Sequence, residues 1–193
     1  MILNDRQIIE LCKKGMITPF SESLVRQIDD RRLISFGMSS YGYDIPLATT
    51  NLRVVKGGYK LIDPKKFDES VLEELPLQQD ENGDKYFVVP AYGCVLGHSL
   101  PRFNLPRNVT GNCVGKSTYA RVFLHVIVTP LEAGWSGYLT IEMINHTPNP
   151  LKVYAEEGIA QVQFFMGEDC EVSYADRGGK YQNQAAEVVV ARV

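Results

Sequence analysis

The sequence predicts a mainly β protein, a barrel or sandwich with one short helix at its start. Three observations carry this reading. Short runs rich in β-branched and aromatic residues recur from about residue 33 onward, turn residues separate them at close intervals, and helical spacing of apolar side chains is convincing only near the N-terminus.

The helix comes first. Asn4 or Asp5 can cap it, Ile8, Ile9, Leu11 and Cys12 recur at roughly helical spacing, and Gly15 stops it. The β-rich runs follow at Asn51 to Val55, Tyr86 to Val89, Cys94 to Leu96, Arg121 to Val128, Tyr138 to Ile144 and Ile159 to Phe165. Their spacing suits an all-β barrel or sandwich. Between them, Lys65 to Asp84 carries many acidic residues and ends in Asn82-Gly83-Asp84, the pattern of a solvated excursion with a turn and no catalytic role. The end of the chain, Asp176 to Gln184, pairs two glycines with cations and amides. On composition alone it is either a mobile lid over an anionic ligand or a frayed polar tail.

At 193 residues the chain suits a single domain spanning 1–193, and a domain of this size buries about 70% of its unfolded surface. The 45% apolar and 22% charged fractions are ordinary for a soluble globular protein. No apolar run approaches the ~20 residues of a membrane span, and Met1 to Arg6 lacks the pattern of a secretory signal, so a cytoplasmic protein with no membrane partner is expected. Cys12, Cys94, Cys113 and Cys170 are too scattered for a disulfide framework or a zinc site. A formal net charge of -3 gives no general attraction to nucleic acid, so any bound phosphate must be held by a few placed residues.

Two runs can carry chemistry. Gly115-Lys116-Ser117-Thr118-Tyr119-Ala120-Arg121 gathers two cations, two hydroxyls and a glycine. It is not a Walker A loop, since position 110 is Thr where that motif needs glycine, yet its residue types suit phosphate as well as a polar surface turn. In Tyr138 to Ile144, strand alternation puts Leu139, Ile141 and Met143 on one face and Thr140 and Glu142 on the other. If that second face is plain solvent, Glu142 is a routine surface residue. If it lines a pocket, burial raises its pKa into the range of a general acid and base.

Other chemistries lack their residues. Zinc-dependent cytidine deamination needs H-x-E and P-C-x-x-C, and neither motif is present. A Ser-His-Asp triad has no Asp between Asp84 and Asp169 to serve the central strands. His125, inside the apolar run Val122 to Val128, reads as a packed core or interface histidine.

Taken in order, the motifs resemble those of bacterial and viral dCTP deaminases. Gly115 to Arg121, Val128-Thr129-Pro130-Leu131-Glu132 and Gly134-Trp135-x-Gly137-x-x-Thr140-Ile141-Glu142 carry the resemblance. Ser39 to Asp44, Ile62-Asp63-Pro64, Leu105 to Val109, Tyr154 to Gln161 and Val172 to Gln184 extend it nearly end to end. It implies a distorted β-barrel of the dUTPase-like (β-clip) type, a homotrimer with sites between subunits, and hydrolysis of dCTP to dUTP and ammonia for thymidylate synthesis. By the same resemblance Glu142 moves the protons, while Ser117, Arg121 and the Pro130 carbonyl hold the attacking water. Lys116, Ser117, Thr118, Tyr119, Ala120, Arg121, Glu132, Thr140, Ile141, Glu142, Gln161, Tyr174, Lys180 and Gln184 would meet the nucleotide. No catalytic metal is implied, but Mg²⁺ would arrive on the triphosphate.

Some positions depart from the pattern. Phe123 stands where many members carry glycine, and Ala133-Gly134 replaces a common Pro-Glu, which leaves dTTP inhibition an expectation only. The rival readings are a dUTPase, a bifunctional enzyme releasing dUMP and pyrophosphate in which Glu132 acts at the phosphates, and a non-enzymatic nucleotide-binding regulatory protein.

Overall fold

Asn4 opens the expected helix, α1 (Asp5–Cys12): its side chain accepts from the Gln7 backbone N–H while Gln7 reaches back to the Asn4 N–H. This computed structural model describes residues 1–58 and 60–193. Ile8 and Cys12 turn into the protein and Gly15 follows with φ +89°, the left-handed conformation that ends the helix.

The strands follow in chain order: β1 (Ile17–Thr18), β2 (Leu24–Ile28), β3 (Arg31–Ser39), β4 (Gly42–Pro46), β5 (Arg53–Val55), β6 (Leu72–Glu74), β7 (Gln78–Gln79), β8 (Lys85–Val89), β9 (Cys94–Asn104) and β10 (Val109–Gly115). A four-residue helix, α2 (Ser117–Ala120), then leads to β11 (Leu124–Ile127), β12 (Ser136–Asn145), β13 (Leu151–Tyr154) and β14 (Gly158–Met166). They pair into three sheets, β11-β12-β9-β5-β6 with β1 beside β9, β10-β14-β4-β3-β2, and β13-β8-β7. The fold is mainly β as expected, and the described strands do not close into one ring.

Six expected runs contain strands, of which β9 runs on to Asn104 and β11 is shorter than Arg121 to Val128. Strands β1, β2, β3, β4, β6, β7, β10 and β13 lie outside those runs, and α2 was not anticipated. Polar and glycine-rich strands such as Gly42–Pro46 and Val109–Gly115 lack a clean alternation and are held by pairing across the sheet.

One core joins the sheets. Val95 and Phe103 of β9, Leu139, Ile141 and Met143 of β12, and Phe164 of β14 are all buried. Each such side chain contributes about 1.5–3 kcal/mol relative to an exposed one. Of the two readings of His125, the structure corrects the core one: it faces outward from β11 and is exposed, its ring 5.9 Å from that of His146, while Leu124 and Val126 take the inward positions. The buried histidine is His98 on β9, opposite Thr140. Among the described residues no helix is long and apolar enough to cross a membrane.

Candidate active site

Strand β12 puts its chemistry on one face. Leu139, Ile141 and Met143 point into the core, and Thr140 and Glu142 alternate to the opposite side, half-buried. Glu142 lies mid-sheet, opposite Leu96 of β9 and Ile127 of β11. That face is a wall of a cavity of about 840 Å³. Pro130 and Glu132 enter it from the β11–β12 connection, and Tyr174, Lys180 and Gln184 from the C-terminal segment. Burial pushes the Glu142 carboxyl above the ordinary carboxylate range. Among the described residues no side chain hydrogen-bonds or ion-pairs with it, so it is open to a ligand in the cavity.

The C-terminal segment is seated over this cavity by specific bonds. Asn183 N–H donates to the Ser136 carbonyl at 2.8 Å, and Tyr138 N–H donates to the Gln184 carbonyl at 3.1 Å. Gly137 makes the approach possible: its φ is +145°, and a Cβ there would sit 2.7 Å from the Gln184 backbone nitrogen. The Gln184 side-chain amide donates to the Thr140 hydroxyl. Trp135 Nε1 donates to the Tyr181 carbonyl at 2.8 Å, and Val188 N–H to the Asn51 side chain at 2.9 Å. Arg177 pairs with Glu132 across the cavity mouth and lies 5.2 Å from the centre of the Tyr174 ring.

The remaining expected residues form a second group. Lys116 Nζ is 2.5 Å from Asp44 in a nearly buried ion pair, and Gln161 donates to the other Asp44 oxygen at 2.9 Å. Ser117, Thr118, Ala120 and Arg121 are exposed on or beside α2, where Arg121 donates to the Ser117 carbonyl at 2.9 Å. Two assignments change in kind. The Tyr119 side chain is core, its hydroxyl accepting the Tyr154 N–H at 2.8 Å, and Ile141 is fully buried, so only their backbones are free to meet a ligand. Among the described residues, none of Lys116 to Arg121 and not Gln161 lines the cavity of Glu142.

One chain thus carries the expected residues in two separate groups, and the expected cluster is not assembled within it. Phe123, just after α2, holds φ +64° with its ring 67% exposed, a conformation glycine takes freely and a bulky residue takes at a cost of roughly 1–2 kcal/mol. Sequence reasoning missed Asp44, the partner of both Lys116 and Gln161. It also missed Phe67, which reaches the cavity from the acidic excursion, and the Glu132–Arg177 pair. A carboxylate inside the Ser39 to Asp44 run was the one available signal for the first. Nothing local signals contacts between residues so far apart in the chain.

The family model described as dCTP deaminase-like matches residues 2–167. A dCTP deaminase of Acidobacterium capsulatum is 46% identical over 184 residues, covering 95% of this chain and 94% of the relative. A dCTP deaminase of Helicobacter hepaticus is 46% identical over 182 residues, with 94% and 93% covered. The crystal structure of 2'-deoxycytidine 5'-triphosphate deaminase from Agrobacterium tumefaciens superposes with a TM-score of 0.57 at 17% identity. That likeness, which covers 86% of this chain and 48% of the other, bears on the fold alone. With β12 carrying Thr140 and Glu142, Ser117 opening α2 and Arg121 following it, and relatives this similar along nearly the whole sequence, the chain belongs to the dCTP deaminase-like family.

Proposed function

We propose that this chain is an enzyme that hydrolyses dCTP to dUTP and ammonia, with Glu142 as the proton carrier. The observation that carries the reading is an unpaired carboxylate, its pKa raised by burial, on the wall of a cavity large enough for a nucleotide. Water adds to C4 of cytosine as Glu142 takes one proton from it and hands that proton to N3. The same carboxylate then takes the proton of the new C4 hydroxyl and passes it to the departing amine as the C4–N bond breaks, so water and dCTP become dUTP and ammonia and Glu142 ends as it began. A carboxyl with a raised pKa suits both halves of that cycle.

Acid–base transfer contributes roughly 10²–10⁴ in rate, and the remainder must come from positioning and fixed donors. Ser117 and Arg121 are assigned the attacking water, with the Pro130 carbonyl as a further acceptor. Since these two side chains lie outside the Glu142 cavity, the reading requires α2 of a second copy to complete each site, in the manner of a cyclic homotrimer. The exposed Phe123 ring beside α2 fits a surface that a neighbour covers. The seated C-terminal segment, 176–193, would open to admit substrate and close over it. Mg²⁺ would be carried by the triphosphate, which Lys116 and Arg121 meet as fixed cations. Metal-free deamination is supported by the missing H-x-E and P-C-x-x-C motifs.

A bifunctional reading, with dUMP and pyrophosphate as products, draws on Glu132 facing the same cavity. Glu132 is engaged by Arg177, whereas Glu142 has no partner among the described residues, which favours deamination alone. Incubating the protein with dCTP and Mg²⁺ decides the matter. Ammonia with dUTP is expected; dUMP with pyrophosphate moves the assignment to the bifunctional enzyme, and no turnover rejects both. Glu142→Gln is expected to abolish ammonia release while dCTP still binds; wild-type turnover in that variant rejects Glu142 as the proton carrier.

A further inference from the structure

The hairpin of β2 and β3 carries two arginines that the proposed mechanism does not use. Gln27 pairs directly with Arg32, which sets their side chains on one face, and the register slips between Val25 and Gln27, so Arg26 sits in a bulge. A bulge breaks the alternation of a strand and re-aims its extra residue. Arg26, Gln27 and Arg32 thereby all line one cavity of about 580 Å³, separate from that of Glu142.

Thr118 of α2 lines the same cavity from the other side, together with Ser35 and Tyr154. Lys116 lies at its edge: a Cβ on Gly158 would stand 3.2 Å from Lys116 Cδ and 2.1 Å from the Ser35 carbonyl oxygen, so stem, glycine and Ser35 are in contact. The cavity's two carboxylates are already engaged. Asp84 pairs with Arg31 at 2.9 Å, and Glu157 accepts the Ile34 N–H at 2.6 Å. Arg26 and Arg32, by contrast, have no acidic or hydrogen-bonding side-chain partner among the described residues. Two solvent-facing guanidinium groups lining one pocket beside hydroxyls suit an anion.

We propose that Arg26 and Arg32 form a subsite for the outer phosphates of the nucleoside triphosphate held at Lys116–Arg121. This rests on the nucleotide reading of α2 above and extends it. The hairpin would read the length of the phosphate chain, favouring triphosphates over diphosphates, while Glu142 acts on the base elsewhere.

The test is the double variant R26Q/R32Q, assayed on dCTP and dCDP, with calorimetric binding of inorganic tripolyphosphate measured alongside. KM for dCTP is expected to rise about tenfold, the preference for dCTP over dCDP in kcat/KM to shrink by a similar factor, and tripolyphosphate to bind correspondingly more weakly. Unchanged preference and unchanged tripolyphosphate affinity overturn the subsite. R26K/R32K, which keeps the charges, is expected to hold tripolyphosphate within about threefold of wild type, and equal losses in both variants also overturn it. Should the wild type fail to deaminate dCTP, the proposed reaction falls, and the tripolyphosphate measurement still decides the role of the arginines.

Discussion

Glu142 illustrates a cost paid at a single residue. Its carboxyl is half-buried without a cation, so burial alone raises its pKa above the unfolded value. A raised carboxyl favours the fold in its protonated form; that contribution is complete below the ordinary glutamate pKa of about 4.3 and is lost as pH rises through the folded value. Once ionised, Glu142 is therefore held in the fold at a cost. Glu142→Gln, inactive by the proposed mechanism, is accordingly expected to melt at a higher temperature than wild type near pH 7.5. The gap should close as pH falls toward 4. Thermal melts of both proteins across that range check it, and a gap that does not vary with pH contradicts the burial argument.

The next scale is the pairing of β12 with the segment after Lys180. Gly137 is the point of closest approach, and Gly137→Ala would set a methyl against the Gln184 backbone in a conformation that disfavours any Cβ. The variant is expected to release residues 176–193 while β12 keeps its place between β9 and β11. Limited proteolysis should then cut after Arg177 or Lys180 several times faster than in wild type, roughly as a weakened local opening equilibrium demands. Equal cutting rates contradict a role for that glycine in seating the segment. Elements also show what the sequence made legible. The helix cap at Asn4 and the two faces of β12 are local patterns and were read correctly. The hairpin of β2 and β3 was not, because its bulge breaks the alternation. The seat of the C-terminal segment was open between lid and frayed end, since the contacts of Gln184 with Gly137 and Thr140 depend on residues more than forty positions away. The core reading of His125 failed because its apolar neighbours suggested burial, whereas a strand buries alternate residues only.

At the scale of the whole molecule, one core binds three sheets, and the candidate chemistry sits on two separate faces of them. The sequence placed Ser117, Arg121 and Glu142 in one list of expected site residues. It carried no information on distance, and within one chain the Lys116–Asp44–Gln161 group and the Glu142 cavity remain apart. The β11–β12 pair sets that separation, because Glu142 pairs with Ile127 at one end of the ladder and α2 precedes Leu124 at the other.

This separation has a consequence for defective subunits in mixture. A Glu142→Gln chain still presents an intact α2, and an Arg121→Ala chain still presents an intact Glu142 wall. Unfolded and refolded together in equal amounts, the two inactive proteins are expected to rescue each other, since about a quarter of randomly formed contacts would join the sound half of one to the sound half of the other. Ammonia release from the mixture, set against each variant refolded alone, measures that complementation. Its absence would place both halves of the working site within a single chain.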